Sequence, residues 1–167
     1  MPEGILVLGL GNPVMSDDGA GLAALERLRA GFQVPPGVEL ADGGTWGMRL
    51  LPLLEDHSRV LFLDAISAGQ APGALVRLDG EAIPRMLGVG KLSPHQVDLQ
   101  DVLGAAALRG RLPREMVALG IQPAVVEMGV GLSPAVAAAV DPLVERAREV
   151  LAAWGAPCLP LAVTAGA

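Results

Sequence analysis

Short, continuously apolar runs separated by segments with helical periodicity are the feature of this chain that most limits its possible folds. The run Ile5-Leu6-Val7-Leu8-Gly9-Leu10 has no polar position, and Val60-Leu61-Phe62-Leu63 is a similar run further along. A strand that is apolar at every position is buried on both faces, which is typical of a parallel sheet covered by helices. Between such runs, apolar residues recur at helical spacing, as at Leu22, Leu25 and Leu28. The pattern therefore predicts layers of helices and strands.

This alternation predicts a single α/β domain over residues 1–155, followed by a flexible tail at 156–167 that shows no periodicity. We expect a three-layer αβα sandwich with a mainly parallel five-stranded sheet. The predicted strands are residues 5–10, 38–41, 59–63, 73–78 and 116–121. The predicted helices begin after Ser16, Thr45, Ser93 and Ser133.

Composition and charge exclude several classes of protein. Of the 167 residues, 51% are hydrophobic, which is too many for a disordered chain. No apolar run approaches the length of about 20 residues that spans a bilayer. The net charge of −6 argues against a nucleic-acid partner, because duplex binding depends on Lys and Arg at the phosphates.

Two further features of the sequence indicate the cellular compartment in which the protein is expected. The acidic opening Met1-Pro2-Glu3-Gly4 does not resemble a secretory signal, and the single cysteine, Cys158, fits a reducing environment. We therefore expect a cytoplasmic protein with neither a membrane nor a nucleic-acid partner, and we expect it to be a monomer.

Polar residues suited to chemistry follow the predicted strands at their carboxyl ends. In an open α/β sheet, the loops at that edge meet helix N-termini and form the binding site. Asp17 and Asp18 follow the first strand, Asp64 closes the third strand, and His95 lies in the first turn of the third predicted helix. The segment Asp42-Gly43-Gly44-Thr45 follows the second strand at the same edge.

Each of these residues also has an ordinary structural interpretation. Carboxylates in a first helical turn interact favourably with the helix dipole, which accounts for Asp17 and Asp18. An Asp at a strand end commonly caps a turn, and a first-turn His is commonly a surface residue. Considered together, however, two carboxylates and one imidazole at a single edge form an O,O,N donor set that suits a first-row divalent ion. The sequence therefore predicts a metal site formed by Asp64, His95 and one of the two adjacent aspartates, without selecting the metal.

Two other kinds of site are less well supported. The segment after the first strand partly matches the dinucleotide-binding pattern G-x-G-x-x-G, but Val14 stands where the third glycine is required. A serine nucleophile has no G-x-S-x-G context, and Cys158 has no histidine nearby in sequence. The methionines are interpreted as packing residues: Met48, Met86, Met116 and Met128.

Five short motifs are distributed over nearly the whole chain. They are Gly9-x-Gly11-Asn12-x-x-x-x-Asp17-Asp18-x-x-Gly21, Asp42-Gly43-Gly44-Thr45-x-Gly47, Asp64-Ala65, Ser93-Pro94-His95-Gln96 and Gly131-Leu132-Ser133-Pro134. In order and spacing, the set resembles the hydrogenase maturation endopeptidases. These proteases trim the C-terminal extension from the large subunit of nickel–iron hydrogenases.

The resemblance implies roles for particular residues. In this family an acidic residue after the first strand, an Asp after the third strand and the His of the Ser-Pro-His motif bind nickel. Those roles fall on Asp18, Asp64 and His95, which we expect to be both the metal-contacting and the catalytic residues. Many relatives have Glu at the position of Asp18, whose side chain reaches less far, so Asp17 remains an alternative ligand. The nickel belongs to the already loaded precursor, so the free protein is expected to be largely metal-free.

The same resemblance implies that the hydrogenase large-subunit precursor is the substrate. Asp42, Gly43, Gly44 and Thr45 are expected to contact an extended segment of it, because glycine permits close approach of two backbones. How the peptide bond is cleaved stays open between polarisation of the carbonyl by nickel and activation of water by a carboxylate. The alternative functions are a non-catalytic nickel chaperone of hydrogenase assembly with the same ligands and, less favoured, a nucleotide-binding module.

Overall fold

A computed structural model describes residues 3–44, 47–83 and 99–162 of the chain. The strands are β1 (Ile5–Leu10), β2 (Phe32–Gln33), β3 (Val38–Gly44), β4 (Arg59–Ala65), β5 (Leu75–Asp79), β6 (Glu115–Ile121) and β7 (Leu159–Pro160). The helices are α1 (Ala20–Gly31), α2 (Leu50–Glu55), α3 (Leu99–Leu108) and α4 (Pro134–Ala153). Short 3₁₀ turns at Ser16–Gly19 and Gly47–Arg49 precede α1 and α2.

The main sheet has five strands in the order β3-β1-β4-β6-β5. Strands β3, β1, β4 and β6 are parallel, whereas the edge strand β5 runs antiparallel to β6. The predicted α/β fold with a mainly parallel five-stranded sheet is confirmed. From β1 the chain crosses first to β3 on one side and then to β4 on the other. The loops after β1 and β4 therefore diverge, and such a divergence opens a crevice at the carboxyl edge of the sheet.

Alternate residues of the strands supply two separate cores, one on each face of the sheet. In β1, Ile5 and Val7 pack on one face, whereas Leu6 and Leu8 pack on the other. Helices α1 and α4 cover the first face, and α2 and α3 cover the second. All six residues of β1 are buried, as the continuous apolar run predicts. None of the helices in the described ranges is long and apolar enough to cross a membrane.

Strands β3 and β4 continue two or three residues further than the sequence pattern predicts. Strand β3 extends from the predicted end at residue 41 to Gly44, and β4 extends from residue 63 to Ala65. Parallel pairing continues beyond the apolar residues, so that Asp42 pairs with Gly9 and Asp64 pairs with Gly120. Asp42 and Asp64 are therefore held by the hydrogen-bonded sheet itself and not by loops.

The segment predicted to be a flexible tail contacts the rest of the domain at residues 156–160. Strand β7 pairs antiparallel with β2, and Cys158 is buried in the core formed with α1 and α4. The guanidinium of Arg148 donates from Nε and Nη2 to the carbonyl oxygen of Cys158 at 3.0 and 2.9 Å. Strands of two residues leave no periodicity in a sequence, so this pairing gives no signal there.

Candidate active site

The loop that follows β1 closes on itself, because Asp18 near its end contacts Gly11 and Asn12 at its start. Gly11 has a φ of 116°, and a Cβ at this position would overlap the carbonyl oxygen of Asp18. The backbone N–H of Asn12 donates to Oδ2 of Asp18 at 2.9 Å. Only glycine combines this backbone conformation with so close an approach. The loop therefore fixes the Asp18 carboxylate beside the end of β1.

Asp64 lies at the carboxyl end of β4, in the strand next to β1. Its Oδ1 accepts a hydrogen bond from the backbone N–H of Ala65 at 2.8 Å. The first turn of α1 packs directly on this strand end, because a Cβ at Gly21 would overlap the backbone of Leu63 and Asp64. This close contact brings the turn that carries Asp18 against the strand that carries Asp64.

The two carboxylates are electrostatic neighbours. Burial, together with the nearby charge of Asp18, raises the pKa of Asp64 to about 8. Burial also raises the pKa of Asp18, although the hydrogen bond from Asn12 opposes that shift. Two half-buried carboxyls that disfavour each other's ionisation can share a proton or can hold a cation between them. A bound divalent cation would favour the charged form of both groups.

The alternative in which Asp17 is the metal ligand is not supported. Asp17 is fully buried, and its carboxylate accepts four hydrogen bonds. The donors are the backbone N–H groups of Ala124, Val125 and Ser133 and the hydroxyl of Ser133, at 2.7 to 2.9 Å. Burial acts to raise the pKa of Asp17, but these hydrogen bonds outweigh it, and the pKa is lowered. Asp17 therefore joins the loop before α1 to the loop before α4.

Of the other predicted site residues, the structure describes Asp42, Gly43 and Gly44 on β3. His95 and Thr45 lie outside the described residues. Asp42 is exposed on the edge strand β3, beside a register shift that follows its pairing with Gly9. Gly43 is buried, and a Cβ there would meet the side chains of Leu8 and Leu10. The need for glycine at position 43 therefore comes at least partly from the protein's own core. Within the described residues, no three potential ligands form a group suited to a metal ion.

Sequence reasoning missed two residues that position the site. Ser133 is the N-cap residue of α4, but its hydroxyl donates to Asp17 and makes no capping hydrogen bond to the helix. Gln122, directly after β6, accepts hydrogen bonds from the backbone of Ala68 and Gln70 in the loop after β4. A polar residue directly after an apolar strand is the signal that marks Gln122. The partner of Ser133 is distant in sequence, so no local pattern reveals it.

The interpretation of the four methionines named above as packing residues is wrong for Met128. Its side chain is 87% exposed, and Met48 is also exposed, whereas Met116 packs against the core. Met86 lies outside the described residues. An exposed methionine in a loop has the same sequence context as a buried one, since only the fold decides which way it faces.

Comparison with known proteins assigns the family. A family model described as hydrogenase maturation protease matches residues 22–150. The hydrogenase expression/formation protein HupD of Rhodobacter capsulatus is 41% identical over 155 residues, covering 92% of this chain and 74% of that protein. The hydrogenase 2 maturation protease of Escherichia coli K12 is 36% identical over 157 residues, covering 93% and 95%.

The fold agrees with this assignment. The structure of the hydrogenase maturating endopeptidase HybD from E. coli superimposes with a TM-score of 0.87 at 36% identity, covering 94% of this chain and 97% of that one. A [NiFe] hydrogenase maturation protease from Thermococcus kodakarensis gives a TM-score of 0.67 at 33% identity, with 88% and 98% covered. These similarities favour a protease over a chaperone or a nucleotide-binding module. The chain belongs to the hydrogenase maturation protease family and is an endopeptidase of hydrogenase maturation.

Proposed function

We propose that this endopeptidase removes the C-terminal extension of a nickel-loaded [NiFe] hydrogenase large-subunit precursor. In this proposal Asp18, Asp64 and His95 contact the nickel that the precursor carries. The observation that supports it best is the pair of neighbouring carboxylates, Asp18 and Asp64, whose pKa values are both raised. Such a pair at the open edge of the sheet is suited to a cation delivered by another protein.

The donor set is incomplete for a resident metal. Two carboxylates and one imidazole contain no thiolate, so they hold a nickel ion weakly on their own. Thiolates of the precursor would supply the remaining donors, and the combined site would bind far more strongly than either half. The free protease is therefore proposed to be largely metal-free and to depend on the loaded precursor for its nickel.

The cut segment is proposed to lie along Asp42, Gly43, Gly44 and Thr45. Strand β3 is at one edge of the sheet, and Asp42 is exposed there. An extended peptide can add to such an edge through backbone hydrogen bonds. The register shift between Gly9 and Leu10 bends the pairing of β3 next to the carboxylates. A peptide on β3 would therefore lie one strand away from β1, whose C-terminal loop carries Asp18.

Cleavage should require nickel in the precursor. We expect the nickel-loaded large-subunit precursor to lose its C-terminal extension. The nickel-free precursor should be cut at least about 100-fold more slowly, because the protease then loses the binding energy between its ligands and the nickel. The mass of the precursor before and after incubation measures this directly. Nickel added to the protease alone should not restore cleavage of the nickel-free precursor. Equal cleavage of both precursors would contradict the proposal.

A further inference from the structure

Two loops at the carboxyl edge of the sheet expose a group of large apolar side chains. We call this group the apolar rim and define it as Val14, Val125, Val126, Met128 and Val130. Met128 and Val130 are 87% and 91% exposed. Contiguous exposed apolar surface is uncommon on a soluble protein and marks sites of interaction. No role given above to the carboxylates or to strand β3 involves these side chains.

The apolar rim is held rigidly although its side chains face solvent. Met15 and Gly129 form a parallel bridge, and Gly129 donates from its N–H to the carbonyl oxygen of Val14 at 2.9 Å. Ser16 donates from its N–H to Gly129 and from its hydroxyl to Glu127, at 2.9 and 2.8 Å. A surface fixed before binding loses little conformational entropy when a partner covers it.

The same contacts place the apolar rim beside the carboxylates. Its loops follow β1 and β6, and β4, which carries Asp64, lies between those strands. The buried carboxylate of Asp17 joins both loops, and Asp18 is the next residue in the chain. A protein whose metal reaches Asp18 and Asp64 therefore has to pass next to the apolar rim.

We propose that the apolar rim docks the hydrogenase large-subunit precursor, through an apolar and uncharged surface of that protein beside the segment to be cut. This inference rests on the proposed function. Side chains as exposed as Met128 and Val130 enclose no small molecule, whereas the surface of a partner protein can cover them. Glu127 is the only ionisable residue between Pro123 and Ser133, which favours an uncharged partner surface. A second copy of the chain on the rim would obstruct the carboxylates.

The test is the double variant Met128→Ser/Val130→Ser, compared with Leu108→Ser. Leu108 is 92% exposed at the C-terminus of α3, where the chain returns to the start of β6 at the opposite edge of the sheet. Two measurements on each variant are needed: the Kd for a nickel-loaded precursor made uncleavable at its cut site, and the kcat and KM for the cleavable one. Thermal unfolding checks that the fold is kept.

We expect the double variant to raise Kd and KM at least about 10-fold, because covered apolar side chains are lost. Its kcat should stay within about twofold, since no group that touches the reacting atoms changes. Leu108→Ser should change none of these values. Unchanged Kd and KM in the double variant, while the wild type cleaves, would overturn the docking inference and leave the proposed function standing.

Two other outcomes separate the docking inference from the proposed function. Rim-dependent binding of the precursor without cleavage by the wild type would support docking and contradict the proteolytic role. If sedimentation instead showed that the double variant abolishes self-association of the protease and leaves precursor binding unchanged, the rim would be an interface between copies, and the docking inference would be wrong.

Discussion

Replacing Asp64 with Asn is expected to abolish precursor cleavage and at the same time to stabilise the folded protein near pH 8. Asn retains the oxygen that accepts the hydrogen bond from the backbone of Ala65, so the end of β4 keeps its geometry. It loses the negative charge that would contact the nickel of the precursor. We expect cleavage to fall by about 100-fold or more, the size of effect seen when one electrostatic partner is removed from an active site.

The gain in stability follows from the pKa of Asp64, which burial and the charge of Asp18 raise to about 8. A carboxyl whose folded pKa exceeds its unfolded value of about 4 binds more protons in the folded state, so its contribution to stability falls as pH rises from about 4 to about 8. Asn carries no such penalty. Because the side chain keeps some contact with solvent, we expect a gain of about 1–3 kcal/mol near pH 8 that vanishes toward pH 4.

Urea unfolding of both proteins across this pH range measures the difference, and the cleavage assay is run on the same samples. Asp56→Asn, at an exposed turn after α2, is the matched control and should change neither property. An Asp64→Asn protein that is folded and fully active would contradict the role given to this residue.

Replacing Asp17 with Asn should destabilise the folded protein, whereas Asp64→Asn should stabilise it near pH 8. One carboxylate oxygen becomes a buried amide group that cannot accept, and partly buried N–H groups of Ala124, Val125 or Ser133 lose their partner. We expect the free energy of unfolding to fall by about 3 kcal/mol, because unsatisfied buried donors cost about 1–3 kcal/mol each. The same substitution at Asp18, which accepts one hydrogen bond from Asn12, should cost little stability and most of the activity.

The loss of stability in Asp17→Asn should depend on pH. The pKa of Asp17 is lowered in the folded protein, so its carboxylate stabilises the fold above the unfolded value of about 4, and this contribution disappears as pH falls through the folded pKa. The wild type and the variant should therefore approach each other in stability in strong acid. Equal unfolding midpoints at neutral pH would show that the four hydrogen bonds do not hold the loop before α4.

The difference between these adjacent aspartates shows where sequence reasoning reaches its limit. Their position after β1 is readable from the apolar run, because a buried parallel strand directs its C-terminal loop to the site edge. Whether Asp17 or Asp18 points toward the site depends on the turn at Gly11 and on hydrogen-bond donors more than 100 residues away in sequence. No local pattern contains that information.

Other features of the fold also separate into those that the sequence predicts and those that depend on long-range contacts. The apolar face of α4 follows from helical periodicity, and the strands β1 and β6 follow from their continuous apolar runs. The pairing of β7 with β2 and the exposure of Met128 depend on which segments meet in space. The sequence predicts the edge of the sheet at which polar side chains gather, whereas the fold decides which of them hold the structure together and which face the open edge.

We propose that carboxylates of this protease contact nickel held by its substrate. The most direct measurement is the X-ray absorption spectrum at the nickel edge of a loaded, uncleavable precursor, alone and in complex with the protease. We expect nickel to gain oxygen or nitrogen neighbours in the complex with the wild type and not with an Asp18→Ala/Asp64→Ala variant that still binds. An unchanged nickel spectrum in a fully formed wild-type complex would contradict contact between the carboxylates and the nickel.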